Sequence, residues 1–193
     1  MREFISEASY PPQYKAIDAE TRKSGFAMAS DVLTCGLLRT LAAAKPGGSF
    51  LELGTGTGLS TAWILDGMDN ESSLVSIDND AAFLGIARQY LGGDNRLQLA
   101  CTDGEAWITA NIGKQYDYIF ADTWHGKYLL LDEVLALLSK GAFYIIDDML
   151  PQPNWPEGHA EKANKLVADL EARHDLVITK QHWASGIIIG VKK

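Results

Sequence analysis

Three glycines stand at alternate positions in the segment LELGTGTGLST, residues 51–61. The residues before Gly54 have the pattern of a buried strand, and those after Gly58 have the pattern of a helix. Because glycine has no Cβ, Gly54, Gly56 and Gly58 permit positive φ values and let a ligand approach the backbone closely at the end of a strand. The segment therefore predicts a strand, a turn and a helix, with a ligand held at the turn.

Beyond residue 48, short β-branched or aromatic runs alternate with segments of helical periodicity. This alternation is typical of an α/β fold, in which parallel strands are joined by helical crossovers. The runs are so uniformly apolar that we expect strands buried on both faces. The predicted strands are 49–54, 73–78, 96–101, 116–122 and 142–148, and the predicted helices lie near 59–68, 80–91, 103–112, 127–139 and 157–173.

The C-terminal part of the chain breaks this alternation. Two further strands, 175–181 and 186–192, are separated only by the residues HWAS. A connection this short excludes a helical crossover and permits an antiparallel hairpin. We therefore expect the sheet to end in an antiparallel C-terminal hairpin.

The chain contains no internal repeat, low-complexity tract or linker, so we expect a single domain over residues 1–193. Within it, we expect residues 1–45 to form an N-terminal helical segment, with helical periodicity over 28–44, and residues 46–193 to form a Rossmann-like core. The N-terminal segment either closes over the site as a lid or pads the surface. Its aromatic residues are Tyr10, Tyr14 and Phe26.

Charge and composition narrow the range of partners and the compartment. Lys and Arg number 17 against 25 Asp and Glu, and the net charge of −8 opposes nucleic acids and anionic membrane surfaces. The N-terminus has no apolar signal region, and no window approaches the roughly 18 apolar residues of a membrane span. We expect Cys35 and Cys101 to be small core residues, which suits a cytoplasmic protein.

Two kinds of ligand use a glycine turn of this type. In the dinucleotide fingerprint, a third glycine follows the second by three residues, and here Leu59 occupies that position. Glu52, two residues before Gly54, suits the ammonium group of an amino acid better than a pyrophosphate. The turn thus favours a zwitterionic ligand.

The pattern E-x-G-x-x-x-G-x-S, formed by Glu52, Gly54, Gly58 and Ser60, resembles the first motif of class I S-adenosylmethionine-dependent methyltransferases. More narrowly, it is similar to the small-molecule O-methyltransferases related to catechol and caffeoyl-CoA O-methyltransferases. The resemblance implies S-adenosylmethionine as cofactor, the strand order 3-2-1-4-5-7-6, and contact between Ser60 and the cofactor carboxylate. It also implies that the intervening turn residues contact the cofactor, namely Thr55, Gly56 and Thr57.

Two more carboxylates follow strand ends that border this turn. Asp78 lies 20 residues after Gly58 at the end of the second strand, where a carboxylate can accept both ribose hydroxyls, with Asn79 beside it. Asp103, followed by Gly104, resembles the family residue that faces the adenine amino group. For both aspartates the alternative role is to cap a helix. For Asp78 this is the helix that starts near Asp80.

The fourth and fifth strands also end in acids. Asp122 follows the fourth strand, and Asp147 with Asp148 follows the fifth, so the three carboxylates meet at one sheet edge and suit Mg²⁺ or another divalent cation. In the resembling enzymes these strand ends read D-A-D-K and D-N, and they provide the metal ligands and a catalytic lysine. Here Trp124, His125 and Asp148 replace the second Asp, the Lys and the Asn, so dependence on a metal stays open.

The acceptor side of the site is less defined. We predict that Asp122 and His125 serve in catalysis, with His125 as general base in place of the lysine, the alternative being a loop histidine without that role. Lys127 is a second candidate base, but we expect it on the solvated face of the following helix. Trp124 and Trp155 indicate a planar or aromatic acceptor.

The sequence therefore predicts S-adenosylmethionine-dependent O-methylation of a small-molecule acceptor. A protein that binds the cofactor without catalysis and an NAD-linked oxidoreductase are the alternatives. The resembling family is often dimeric, which leaves a homodimer open.

Overall fold

Seven strands form one sheet in the order β3-β2-β1-β4-β5-β7-β6 in a computed structural model that describes residues 9–152 and 155–193. The order and the antiparallel C-terminal hairpin of β6 and β7 confirm the prediction, and the first five strands run parallel. The strands are β1 Ser49–Leu53, β2 Ser73–Asp78, β3 Leu97–Cys101, β4 Tyr116–Ala121, β5 Leu138–Ile146, β6 Leu176–Gln181 and β7 Ile187–Lys192.

Helices cover both faces of the sheet. The helices are α1 Tyr14–Ser24, α2 Val32–Ala42, α3 Leu59–Gly67, α4 Ala81–Leu91, α5 Gly104–Ala110, α6 Leu131–Ala136 and α7 His159–Glu171. Successive strand residues point to opposite faces, so Phe50 packs with α1 to α4 while Leu51 and Leu53 pack with α5 to α7. Each fully buried side chain of this kind contributes about 1.5–3 kcal/mol to folding.

Glu52 lies on the same face of β1 as Phe50 and is fully buried beneath α3. A carboxylate in such a position needs several hydrogen-bond donors to offset its loss of hydration. This requirement determines the surroundings of the glycine turn.

The connection between β4 and β5 differs from the prediction. A helix over 127–139 is wrong at both ends, because α6 covers only Leu131–Ala136 and β5 already begins at Leu138. The left-handed φ of 54° at Leu130 separates the helix from the turn before it. Residues 124–129 form that turn, with the backbone N–H groups of Tyr128 and Leu129 both donating to Trp124 O.

The edge strands are more exposed than the apolar runs suggested. β3 is the edge strand next to β2, and each of its residues is half-buried or exposed. Cys101 is exposed there, so its assignment to the core is wrong, whereas Cys35 on α2 is buried. The sequence of a strand does not show which strand has a neighbour on one side only.

The N-terminal segment has two distinct parts. Tyr10 and Tyr14 pack against the ring of Trp63, on the face of α3 covered by α1, while Phe26 lies over the glycine turn. The part of the predicted lid in residues 1–8 lies outside the described residues. In the described stretches, no helix has the length and apolar character needed to cross a bilayer.

Candidate active site

A cavity of about 990 Å³ opens at the carboxyl ends of the parallel strands. Its walls come from the turns after β1 to β5, from residues 26–31 and from the turn before β7. This is the edge at which open α/β sheets bind ligands. Of the predicted site residues, those that line the cavity are Gly54, Thr55, Gly56, Thr57, Ser60, Asp78, Asn79, Gly104, Asp122, His125 and Asp148.

The glycine turn is closely packed, as Gly54 and Gly58 illustrate. Gly54 has a φ of 105°, and an added Cβ would lie 2.7 Å from Thr123 Cγ2 and 2.8 Å from the carbonyl oxygen of Asp122. Gly58 has a φ of 93°, and its Cβ would lie 2.8 Å from Ala87 Cβ on α4. Gly58 itself does not line the cavity, so it serves helix packing.

Glu52 lies beneath the turn and does not line the cavity. Its carboxylate accepts hydrogen bonds from the hydroxyls of Ser60 at 2.6 Å, Thr61 at 2.5 Å and Ser76 at 2.5 Å. Burial raises the pKa of Glu52 to about 7, although these hydrogen bonds oppose the rise. The carboxylate thus holds the first turn of α3 to β1 and β2, and Ser60 lies between it and the cavity.

Asp78 lines the cavity at the end of β2. Its Oδ2 accepts the backbone N–H of Gly56 at 2.7 Å, and its Oδ1 accepts the backbone N–H of Asp80 at 2.8 Å. Asp80, not Asp78, caps α4 through the N–H groups of Ala82 and Phe83. Asp78 therefore joins the glycine turn to the end of the neighbouring strand and faces the cavity.

Asp103 and His125 both lie near the end of β3, but only His125 lines the cavity. Asp103 is exposed, does not line the cavity and caps α5 by accepting the N–H of Ala106 at 3.0 Å, which is its alternative role as a helix cap. His125 lies against Gly104, where an added Cβ would be 2.6 Å from His125 Nδ1. The ring of His125 thus borders the β3 side of the cavity.

Lys127 is buried, with 5% of its surface exposed, which corrects the prediction of a solvated lysine. Its Nζ donates to Asp122 Oδ1 at 3.1 Å and to the backbone carbonyl of Asp147 at 2.8 Å. Burial on its own lowers the pKa of a lysine, but the charges of Asp122 and Asp148 outweigh burial and raise the pKa of Lys127 above its ordinary value. An ammonium group therefore stands between the ends of β4 and β5.

The two acids after β5 point in different directions. Asp147 is buried outside the cavity lining, and its Oδ1 accepts the Ser185 hydroxyl and the backbone N–H of Asp148. Burial, together with the charge of Asp122, raises the pKa of Asp147 to about 7. Asp148 has a left-handed φ of 58° and lines the cavity, and burial raises its pKa as well.

The predicted metal ligands do not form a metal site. Among residues 9–152 and 155–193, no group of three or more His, Cys, Asp or Glu side chains is placed to hold a metal ion. Asp122 is paired with Lys127, and the Asp147 side chain faces Ser185. These residues therefore do not fit a divalent cation in the arrangement that the sequence predicted.

Four rings form an aromatic wall on the acceptor side: Trp124, Tyr128, Trp155 and His159. The His159 ring lies 4.5 Å from Trp155 and 5.1 Å from Tyr128 between centroids, and Trp124 is 46% exposed at the mouth. His159 Nε2 lies 3.2 Å from the Tyr128 hydroxyl, and within the described chain its buried Nδ1 has no hydrogen-bond partner. Burial, then the charges of Lys162 and Lys127, lowers the pKa of His159.

Two of these rings, Trp124 and Trp155, were predicted from the sequence, whereas the positions of Lys127, Tyr128 and His159 in the site were not. Lys127 follows Gly126 directly, and an added Cβ at that glycine, with its φ of 83°, would lie 2.9 Å from Leu53 Cδ1. A glycine directly after His125 was a signal for a turn rather than a helix start. Nothing in the sequence indicated that α7 begins at a histidine facing the cavity.

Comparison with known proteins supplies the family. The model of a family described as a methyltransferase domain matches residues 51–149, half of the chain. A candidate O-methyltransferase of Mycobacterium leprae is 32% identical over 90 residues, which is 45% of this chain and 40% of that protein. One of Mycolicibacterium smegmatis is 30% identical over 115 residues, 56% of this chain and 55% of that protein. The chain thus spans about half or less of the length of these two relatives.

Solved structures agree with the fold. An O-methyltransferase from Bacillus cereus in complex with SAH superposes with a TM-score of 0.84 at 16% identity, covering 100% of this chain and 94% of that one. The O-methyltransferase TomG from Streptomyces achromogenes in complex with SAM gives 0.81 at 17% identity, covering 94% and 90%. At such identities the likeness concerns the fold alone. Because the family model matches the glycine turn and the first five strands, this chain belongs to the methyltransferase domain family.

Proposed function

We propose that this protein binds S-adenosylmethionine in the cavity and transfers its methyl group to a hydroxyl of a small, planar acceptor. The observation that carries the proposal is the glycine turn tied to Asp78, with both open to the same cavity. The B. cereus and S. achromogenes structures, of the same fold, contain SAH and SAM. The curated relatives are named for O-methylation.

The cofactor residues follow from the lining of the cavity. Asp78, with Asn79 beside it, accepts the ribose hydroxyls, and the turn from Gly54 to Thr57 faces the amino acid part of the cofactor. Ser60 lines the cavity at the start of α3, where a carboxylate is favoured by the helix N-terminus. Gly104 contacts the adenine base of the cofactor at the end of β3. Asp103 contributes indirectly, by capping α5.

Glu52 acts through its neighbours in this account. Its carboxylate is surrounded by three hydroxyls and lies outside the cavity lining, so it orients Ser60 and the first turn of α3. The cofactor ammonium would then meet the turn itself and the Asp122 carboxylate, which lines the cavity. This assignment differs from the sequence prediction, in which Glu52 itself suits the ammonium group.

The acceptor half of the cavity suits a flat molecule. The aromatic wall presents ring faces and edges to this half of the cavity, through Trp155, Tyr128 and Trp124. Aromatic rings stack on one another in such offset and tilted arrangements. A few polar groups line the same part of the cavity, among them Asp148, Gln152 and Ser185. Such a mixture of apolar walls and a few polar groups is typical of small-molecule sites.

Methyl transfer to a hydroxyl requires an in-line approach of the oxygen to the S-methyl carbon and removal of the hydroxyl proton. We assign the proton to His159, because burial and then the charges of Lys162 and Lys127 lower its pKa and so favour the neutral imidazole, the form that can accept a proton. Nε2 accepts the Tyr128 hydroxyl, and the Tyr128 oxygen, which lines the cavity, accepts the proton of the acceptor in turn, because Nδ1 is buried out of reach of a ligand. His125, which lies against Gly104, is then a neighbour of the cofactor and not the general base.

Turnover tests the proposal. The protein is incubated with S-adenosylmethionine and, one at a time, catechol, 3,4-dihydroxybenzoate and an aliphatic alcohol, and the formation of S-adenosylhomocysteine and methylated product is followed by mass spectrometry. We expect methyl transfer to an aromatic hydroxyl in preference to the alcohol. Tight binding of the cofactor without transfer to any hydroxyl would instead indicate a binding protein without catalysis.

A further inference from the structure

Lys127 is held in place by the fold around it. The turn of residues 124–129 packs onto β1 through Gly126, whose carbonyl accepts the buried Tyr144 hydroxyl. This packing directs the Lys127 side chain inward, between the ends of β4 and β5, where Nζ meets Asp122 and the Asp147 carbonyl. The lysine is thus part of a built site at the edge of the cavity.

Burial of a lysine is costly unless its charge is compensated. The effective penalty is several kcal/mol for an ion removed from water, and good geometry with an opposite charge is needed to offset it. Asp122 provides that charge, and its second oxygen accepts the Ser30 hydroxyl at 3.1 Å. A neutral residue could fill the same space without this penalty, so the charge itself points to a function.

The position of the ammonium group coincides with the place where the sequence predicts a cation. Asp122 Oδ1 and the Asp147 carbonyl both accept hydrogen bonds at this point, the charge of Asp148 acts on it, and oxygens are the ligands of hard divalent ions. Lys127 Nζ has three donors, of which two are used by described residues, and Lys127 lines the cavity. One donor is therefore left for a ligand.

We propose that the ammonium group of Lys127 takes the place of a divalent cation, and that it binds the acceptor oxygen during a methyl transfer that needs no metal. This inference rests on the proposed function. The Lys127 N–H donates to the acceptor oxygen and stabilises the charge that develops there as Tyr128 takes the proton of the acceptor hydroxyl and gives its own to His159. The oxygen then forms a bond to the methyl carbon, the carbon–sulfur bond breaks, and its electron pair returns to sulfur, giving the neutral thioether.

A Mn²⁺ titration of the protein saturated with S-adenosylhomocysteine tests this inference, by electron paramagnetic resonance of the free ion. Lys127→Ala removes the ammonium and opens its space, Lys127→Met removes the charge but fills the space, and Lys165→Ala, an exposed lysine paired with Asp169, is the control. We expect the wild type, Lys127→Met and Lys165→Ala to bind no Mn²⁺ at the site. Lys127→Ala is expected to bind one Mn²⁺ per chain, and adding Asp122→Asn should abolish that binding.

Stoichiometric Mn²⁺ binding by the wild type that Asp122→Asn removes would overturn the inference, as would a Lys127→Ala variant as indifferent to Mn²⁺ as the wild type. If Lys127→Ala does not fold, the titration of the wild type still tests the inference. An ammonium group that already occupies the site should exclude Mn²⁺, so binding of Mn²⁺ there would contradict it. The saturation step separates the two claims. Failure to bind S-adenosylhomocysteine contradicts the proposed function, whereas Mn²⁺ binding by a cofactor-bound wild type contradicts only the role of Lys127.

Discussion

The backbone N–H of Gly56 donates a 2.7 Å hydrogen bond to Asp78 Oδ2, which ties the turn after β1 to the end of β2. The other oxygen of Asp78 is oriented by the N–H of Asp80. Both oxygens retain lone pairs for a ligand, since a carboxylate oxygen accepts more than one hydrogen bond. The carboxylate is therefore oriented before a cofactor arrives, and little ordering remains to be done on binding.

Asp78→Ala should weaken S-adenosylhomocysteine binding by about 1.5–3 kcal/mol, the scale of a hydrogen bond to a charged group. The change removes the proposed ribose acceptor and also releases the backbone N–H of Gly56. Isothermal titration calorimetry measures the loss. Unchanged affinity would show that the nucleoside does not lie at the end of β2.

Asp103→Ala is the matched comparison, because Asp103 is also an aspartate at a strand end but caps α5. Loss of the cap should lower the free energy of unfolding by about 1 kcal/mol. We expect the affinity for S-adenosylhomocysteine to change less than threefold. An affinity loss as large as that of Asp78→Ala would instead place Asp103 in contact with the adenine.

Gly54→Ala should unfold or strongly destabilise the protein, because its Cβ would clash with Thr123 and with the Asp122 backbone. Gly113→Ala is the control, since Gly113 has a similar φ of 91° but no atom within 4 Å of the added Cβ. Gly113→Ala should cost about 1–2 kcal/mol for the left-handed conformation alone. Equal losses in urea unfolding for the two variants would show that close packing at Gly54 is unimportant.

The pKa of Glu52 predicts a pH dependence of stability. The folded pKa is about 7, above the ordinary value of 4.5, so between these values the folded state holds a proton that the unfolded state has lost. Stability therefore falls as the pH rises through this window, by up to about 1.4 kcal/mol per pH unit for one group, and levels off above pH 7. Asp147 acts in the same direction.

Glu52→Gln should remove the contribution of Glu52, so that the variant gains stability relative to the wild type as the pH is raised from 5 to 8. Urea unfolding at pH 5, 6, 7 and 8 measures the difference between the two proteins. If that difference is the same at every pH, Glu52 titrates no differently in the folded and unfolded states.

The two histidines of the cavity should behave differently. His159→Asn should lower kcat about 10²–10⁴-fold, the usual contribution of a general base, with little change in S-adenosylhomocysteine affinity. His125→Asn should instead weaken binding of S-adenosylhomocysteine, because His125 lies beside Gly104. A His125→Asn variant with full affinity and the larger loss of kcat would restore His125 as the base.

The first five strands, the C-terminal hairpin and the glycine turn were predictable because each depends on a pattern local in sequence, whereas the strand order was implied by the resemblance to class I methyltransferases. The position of Lys127 was not predictable, because its burial depends on Gly126 packing against Leu53 and on the left-handed residue Leu130, which shortens the helix expected there. Glu52 was placed correctly at the end of a strand, but the hydroxyls that surround it come from β2 and α3. Such contacts between distant segments leave no periodic signal.

The central claim is that the cavity at the glycine turn binds an S-adenosyl nucleoside, and calorimetric titration of the wild type with S-adenosylhomocysteine and, separately, with NAD⁺ tests it most directly. We predict one S-adenosylhomocysteine bound per chain and no heat of binding with NAD⁺. Binding of NAD⁺ in preference to S-adenosylhomocysteine, or of neither, would contradict the account.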